Sequence, residues 1–278
     1  MRSKGAVVAV LWAAASAVAG SASAQRQYQD SELDFGDRRV ALPSTSPYLA
    51  IGRLLTSTQA VCTAWMINRC TAITAKHCFT NMKSVAAPPA GAARNVTMTD
   101  LAGRKWVGEY GGAGWNKYYE RELDIAAVKF PKVNDQFPGD HMGVLRHSTA
   151  AAEQVIAWQE TGGRLCAAGF PVDRNGAANL FGSMDLSLKV PAEVKMFDRT
   201  WLATNGQTPG GMSGGPLFSC QPGVAQTPEQ TFVVGVIERS DCSWRNGRFA
   251  CPKNGSSVAV ATTAVADWLD KLAKEECR

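Results

Sequence analysis

Short apolar, β-branched stretches recur along this chain between clusters of Gly, Pro and Asn, and helical periodicity is scarce. Such punctuation specifies strands joined by turns. Candidate strands fall at Leu49–Leu54, Cys62–Asn68, Cys70–Thr74, Asp124–Phe130, Arg164–Gly169, Gly214–Ser219, Thr231–Ile237 and Ser257–Val260. The fold class that follows is all-β. One helix is expected, at the end: Thr262 or Thr263 can cap it, and Val265, Trp268, Leu269 and Leu272 share one face. Residues 131–155, with Pro131, Pro138, Gly139 and Gly143, read as a connection between two halves. There is no internal repeat.

The first residues read as an export signal. Arg2 and Lys4 precede the apolar run from Gly5 to Ala19, and Ala22-Ser23-Ala24 supplies a small-x-small cleavage pattern before Gln25. The run is short for a membrane span, which needs about 20 apolar residues; an uncleaved anchor is the alternative. The expected organisation is a signal peptide at 1–24 and a polar leader or short propeptide at 25–35. The formal charge is +5, of which Arg2 and Lys4 supply two, and the basic residues are scattered. Nucleic acid is therefore not an expected partner, and no membrane is expected after signal removal. The expected location is secreted or periplasmic.

Eight cysteines, an even count, suit disulfides in an oxidising compartment: Cys62, Cys70, Cys78, Cys166, Cys220, Cys242, Cys251 and Cys277. They form no C-x-x-C pair, and the chain has three histidines, His77, His141 and His147. A catalytic metal site and a cofactor are not expected; a structural calcium is the alternative left open.

Gly211-Met212-Ser213-Gly214-Gly215-Pro216 is the segment richest in chemistry. A serine between glycines leaves room for a substrate backbone, and the amides of Gly211 and Ser213 can turn toward one oxyanion. Two other readings share the pattern: a glycine-rich turn, and the G-x-S-x-G elbow of α/β-hydrolases, which needs a histidine after its serine. No histidine follows Ser213. A base must come from upstream. His77, at the end of the apolar run Ile73-Thr74-Ala75 and beside Cys78, suits the task better than His141 or His147, which lie in the Pro/Gly-containing connection. Asp124 heads the run Ile125-Ala126-Ala127-Val128, where a carboxylate needs a partner. It is the candidate to fix the tautomer of His77; a surface turn acid is the other reading. Asp100, Asp135 and Asp140 sit in turn-like contexts.

Together these residues resemble the trypsin/chymotrypsin-like serine peptidases. Ile73-Thr74-Ala75-Lys76-His77-Cys78 is similar to that family's T-A-A-H-C box, Leu123-Asp124-Ile125-Ala126-Ala127-Val128 to its D-I-A-L-L strand, and Gly211–Pro216 to its G-D-S-G-G-P box. The similarity narrows toward the bacterial V8-like (glutamyl endopeptidase) branch. It does so through Asp37-Arg38-Arg39-Val40, Pro47–Leu54, Ala168-Gly169-Phe170-Pro171 and Thr208-Pro209-Gly210-Gly211. The resemblance implies two antiparallel six-stranded β-barrels, at 36–135 and 136–261, with a C-terminal helix at 262–278. It implies a secreted serine endopeptidase, a monomer that hydrolyses peptide or protein substrates through an acyl-enzyme. Ser213 would be the nucleophile, His77 the base and Asp124 the orienting acid, with the Gly211 and Ser213 amides as oxyanion hole. The alternative is a catalytically weak homologue that binds or regulates.

The resemblance also implies disulfides. Cys62–Cys78 matches the bridge behind the family's histidine, and Cys166 and Cys220 fall near another. Cys242–Cys251 would close a hairpin beside the pocket, leaving Cys70 with Cys277. Substrate contacts are expected from Gln207, Thr208, Ile237, Glu238, Arg239 and Ser240. Some of these depart from the family. Ile237 stands where Glu-specific members carry a histidine, and Gln207 where trypsin keeps its acid. Glu238 replaces a residue near the catalytic aspartate; a surface pair with Arg239 is its other reading. Met212 replaces the acid that receives a zymogen's new N-terminus, so the oxyanion loop is expected to form without that ion pair.

Overall fold

The computed structural model describes residues 45–57, 60–79, 94–110, 123–170, 181–186, 188–189, 201–204, 210–220, 226–240, 243–245, 248–250 and 257–278. Six strands close an antiparallel barrel: β1 Ile51–Leu55, β2 Val61–Met66, β3 Thr71–Thr74, β4 Arg94–Thr99, β5 Lys105–Tyr110 and β6 Ala126–Lys129. Their order around it is β1-β2-β3-β6-β5-β4, with β4 returning to β1. Strand alternation decides what fills it. On β2, Cys62, Ala64 and Met66 point inward, with Leu54 of β1, Met98 of β4 and Trp106 of β5. Trp65 and Ile73 point outward into a second apolar cluster, with Ile51, Phe218, Val236 and Leu269. The barrel is thus apolar inside and on the face it turns to the rest of the chain. β4 and β5 fall outside the strands expected from sequence, although Val96/Met98 and Trp106/Tyr110 are buried at alternate positions.

The second half is a sheet of β7 Arg146–His147, β8 Leu165–Gly169, β9 Phe181–Leu186, β10 Leu188–Lys189, β11 Trp201–Thr204, β12 Pro216–Ser219, β13 Phe232–Ser240 and, after a small hairpin, β16 Ser257–Ala261. Its order is β10-β11-β16-β13-β12-β8-β9, and β7 pairs in parallel with the start of β13. The two end strands, β9 and β10, are separated by one residue in the chain. The hairpin is β14 Ser243–Arg245 with β15 Arg248–Ala250, pairing Ser243 with Ala250. Cys242 and Cys251, which flank it in sequence, lie outside the described residues.

The stretch read as a bare connection carries structure: α1 Pro138–Met142, β7, and α2 Ala152–Glu160. In α2 only Val155 is buried, so the segment lacks the apolar stripe that reveals a helix in sequence. The terminal helix is shorter than 262–278. A 3-10 turn at Thr262–Val265 leads into α3, Ala266–Ala273. Among the described residues no helix is long and apolar enough to cross a membrane.

Among the described residues three disulfides are formed: Cys62–Cys78, Cys166–Cys220 and Cys70–Cys277. The last ties the chain end to the first barrel. Asn68 reinforces it. Its Nδ2 donates to the Leu272 carbonyl (2.6 Å), and its Oδ1 accepts the Cys70 and Thr71 amides. Lys129 of β6 adds an ion pair to Glu275 (2.7 Å).

His147 sits against α3, away from any turn surface: its side chain is 7% exposed, and its Nε2 lies 3.2 Å from Asp270 Oδ1. That contact lacks hydrogen-bond geometry. Burial lowers the His147 pKa, against the opposing pull of the Asp270 carboxylate. The folded state therefore holds this proton less tightly than the unfolded chain, where histidine titrates near about 6.5. The stabilisation is complete above that pH and is lost as pH falls below it. Melting temperatures taken at pH 7.5, 6.0 and 5.0 should fall more steeply in the wild type than in His147→Gln. A pH-independent difference between the two would contradict this.

Candidate active site

The site lies where β3 ends. After Thr74 the chain turns through Ala75 into a 3-10 turn, Lys76–Cys78, that carries His77. The Cys62–Cys78 disulfide fastens the turn to β2. Asp124 precedes β6, the strand that pairs with β3, so the ladder brings it beside the turn. It grips His77 at two points. Oδ2 lies 2.5 Å from the ring Nδ1, and Oδ1 accepts the His77 main-chain N–H at 2.7 Å. Both side chains are largely buried, at 16% and 14% exposure. A carboxylate so placed keeps the proton on Nδ1 and leaves Nε2 as the basic nitrogen.

Ser213 arrives from the other half, in the loop before β12. Gly211 and Gly214 have φ of 94° and 84°, in the left-handed region that favours glycine. The loop is pinned on both sides. The Ser213 carbonyl accepts the Thr63 N–H of β2 (2.8 Å), and the Gly214 N–H donates to the Ile237 carbonyl (2.7 Å). The Ile237 N–H returns to the Gly215 carbonyl (2.9 Å), and the Gly215 N–H closes a turn on the Met212 carbonyl (2.8 Å). Because a trans peptide directs its N–H opposite its C=O, this last bond aims the Ser213 amide away from the turn. Neither the Gly211 nor the Ser213 N–H donates to an acceptor among the described residues. Met212 is fully buried, an apolar anchor under the loop.

Ser213 Oγ donates to the main-chain carbonyl of Glu238 at 3.3 Å, and no hydrogen bond joins it to His77 among the described residues. Glu238 is the extra residue of a bulge in β13: Ile237 faces Ala259 of β16, while Arg239 faces the next residue back, Val258. Bulges bend a strand and re-aim its groups, and they are common beside active sites. Arg239 and Ser240 continue β13, and the Ile237 side chain is buried. Gln207 and Thr208 lie outside the described residues.

The remaining candidates lie elsewhere. His141 Nε2 meets Gln136 Oε1 (2.5 Å). Asp100 accepts the Arg104 amide (2.8 Å) and Trp106 Nε1 (3.3 Å). Asp140 pairs with Arg69 at 2.5 Å; that bond, with the Phe137 amide, lowers its pKa to about 2. Asp135 occupies a turn at φ 62°. The Cys62 and Cys78 sulfurs lie within 4.8 Å of a His77 ring nitrogen. They are bonded to each other, so neither offers the thiolate that a metal requires. Sequence reasoning missed Thr63, the polar residue among apolar neighbours on β2, whose main chain and side chain both reach the serine loop.

A family model for the trypsin-like peptidase domain matches residues 62–224, a span that includes His77, Asp124 and Ser213. The solved structures similar to this chain include two peptidases. The structure of a Glu endopeptidase in complex with MPD shares 18% identity over 85% of this chain and 96% of that one, with a TM-score of 0.53. The crystal structure of the Rv3671c protease, inactive form, shares 14% identity over 83% of this chain and 91% of that one, with a TM-score of 0.48. The search of curated proteins returns no match. The likeness to the Glu endopeptidase extends to the chymotrypsin-like fold. With more than half of its residues matched by the domain model, the chain belongs to the trypsin-like peptidase family.

Proposed function

We propose that this protein is a secreted or periplasmic serine endopeptidase, freed of residues 1–24 and acting as a monomer on peptides or proteins. In this reading β9 and β10 are one bent strand that completes a second six-stranded barrel. Ser213 Oγ attacks the scissile carbonyl carbon while His77 Nε2 takes its proton. The oxyanion forms between the Gly211 and Ser213 amides. The C–N bond then breaks, and His77 hands the proton to the leaving amine. Water repeats the sequence on the acyl-enzyme and releases Ser213.

The observation that carries the reading is the two-point hold of Asp124 on His77. A carboxylate bound to both the ring and the backbone fixes the tautomer and the ring plane together. The bond from Ser213 Oγ to the Glu238 carbonyl belongs to the resting enzyme. The hydroxyl leaves that carbonyl when His77 accepts its proton, since catalytic hydrogen bonds often align only with substrate present. That same bond is what favours the rival reading, a binding protein with an idle serine.

A fluorophosphonate probe and a casein digest separate the two. The peptidase reading expects the probe on Ser213 and casein cleaved at stoichiometrically small enzyme concentrations. Labelling of another serine, or binding of casein without cleavage, would overturn it.

A further inference from the structure

Thr63 is a fully buried hydroxyl in an otherwise apolar stretch of β2. Its main-chain N–H and C=O face the side of β2 where β3 would continue, but β3 has ended at Thr74. The vacant ladder position is filled by other groups. The Thr63 C=O accepts Thr74 Oγ1 (2.7 Å), and the Thr63 N–H donates to the Ser213 carbonyl (2.8 Å). The break in the ladder that releases His77 into its turn therefore also receives the serine.

The side chain extends the hold. Thr63 Oγ1 donates to the Gly211 carbonyl (2.9 Å) and accepts the Phe170 N–H at the end of β8 (2.9 Å). A hydroxyl can give one bond and accept another at a single atom; a methyl of the same shape can do neither. Thr63 thus fixes the Gly211–Met212 and Ser213–Gly214 peptide units, which flank the Ser213 amide, and the first of these adjoins the Gly211 amide.

We propose that Thr63 is a positioning residue for acyl transfer. Its hydroxyl registers the Gly211–Ser213 segment against β8, so that the two amides converge on the developing oxyanion. The inference rests on the peptidase reading, and its contribution falls on the chemical step rather than on substrate binding.

The test compares wild type with Thr63→Val, Thr63→Ala and Thr63→Ser for kcat, KM and the rate of fluorophosphonate labelling. Thr63→Val should lower kcat and the labelling rate together by roughly 10–100-fold, the scale of a misplaced catalytic geometry, with KM nearly unchanged. Thr63→Ser should restore most of the rate. Wild-type kcat in a folded Thr63→Val would overturn the inference, as would a loss confined to KM. Unfolding of both hydroxyl-free variants would make Thr63 a structural staple and overturn it too. Wild-type protein that leaves Ser213 unlabelled sinks the peptidase reading and the inference with it; a labelled wild type beside an unimpaired Thr63→Val sinks the inference alone.

Discussion

Ser213→Ala and His77→Ala should each lower kcat for peptide hydrolysis by roughly 10⁴-fold or more, and the double variant should be scarcely worse than either single one. The non-additivity follows from the proposed mechanism. Without Ser213 there is no proton for His77 to take, and without His77 the hydroxyl stays a poor nucleophile. Asp124→Asn should be nearly as damaging. An amide can present N–H to Nδ1 and so stabilise the wrong tautomer, leaving Nε2 protonated and unable to act as base. Rates from protein quantified by absorbance, beside thermal melts, would check this. Retention of a tenth of the wild-type kcat in Ser213→Ala would remove Ser213 from the mechanism.

Gly214→Ala should be the most damaging change that adds only a methyl group. At φ 84° an L-residue is already strained. A Cβ there would also stand 2.2 Å from Thr74 Oγ1, 2.3 Å from the Thr63 carbonyl oxygen and 2.6 Å from the Ala75 amide nitrogen. Two of these are backbone atoms, one on β2 and one at the end of β3 that leads to His77, so nothing can yield without moving a strand or the His77 turn. Gly103 is the matched control: its φ is 79°, but a Cβ there meets nothing within 4 Å. Gly103→Ala should lose about 1–2 kcal/mol from backbone conformation alone. Gly214→Ala should lose more than about 4 kcal/mol, in the range that single substitutions rarely reach, and its peptidase activity with it. Denaturant unfolding of both variants decides the point; equal losses would mean that the collision is relieved at no cost.

The parts of the site that chemistry fixes locally were legible in the sequence. Ser213 is announced by its glycines, because the loop needs positive φ on both sides, and His77 by an apolar strand that ends beside a cysteine. Asp124 was legible as a carboxylate at the head of an apolar run, where it needs a partner. Thr63 was not, since its role exists only where β3 stops short and another part of the chain takes the place. The bulge at Glu238 was equally hidden: it depends on register against β16, which no residue of β13 encodes by itself. In the fold, β4 sets Val96 and Met98 among polar residues and could have been found, whereas in β5 an exposed Val107 beside Trp106 and a glycine at an inward position blur the alternation. By contrast, α2 could not, because it buries Val155 alone.

The bond between Cys70 and Cys277 has a bearing on how such an enzyme survives its own kind. A peptidase exposes its loops to every other copy in solution. A cut anywhere between those two cysteines leaves both products covalently joined, and Asn68 and Lys129 keep the final segment seated against the barrel. A nicked molecule would stay a single particle, with His77 and Ser213 still tethered to each other, and damage to a loop need not mean loss of the protein.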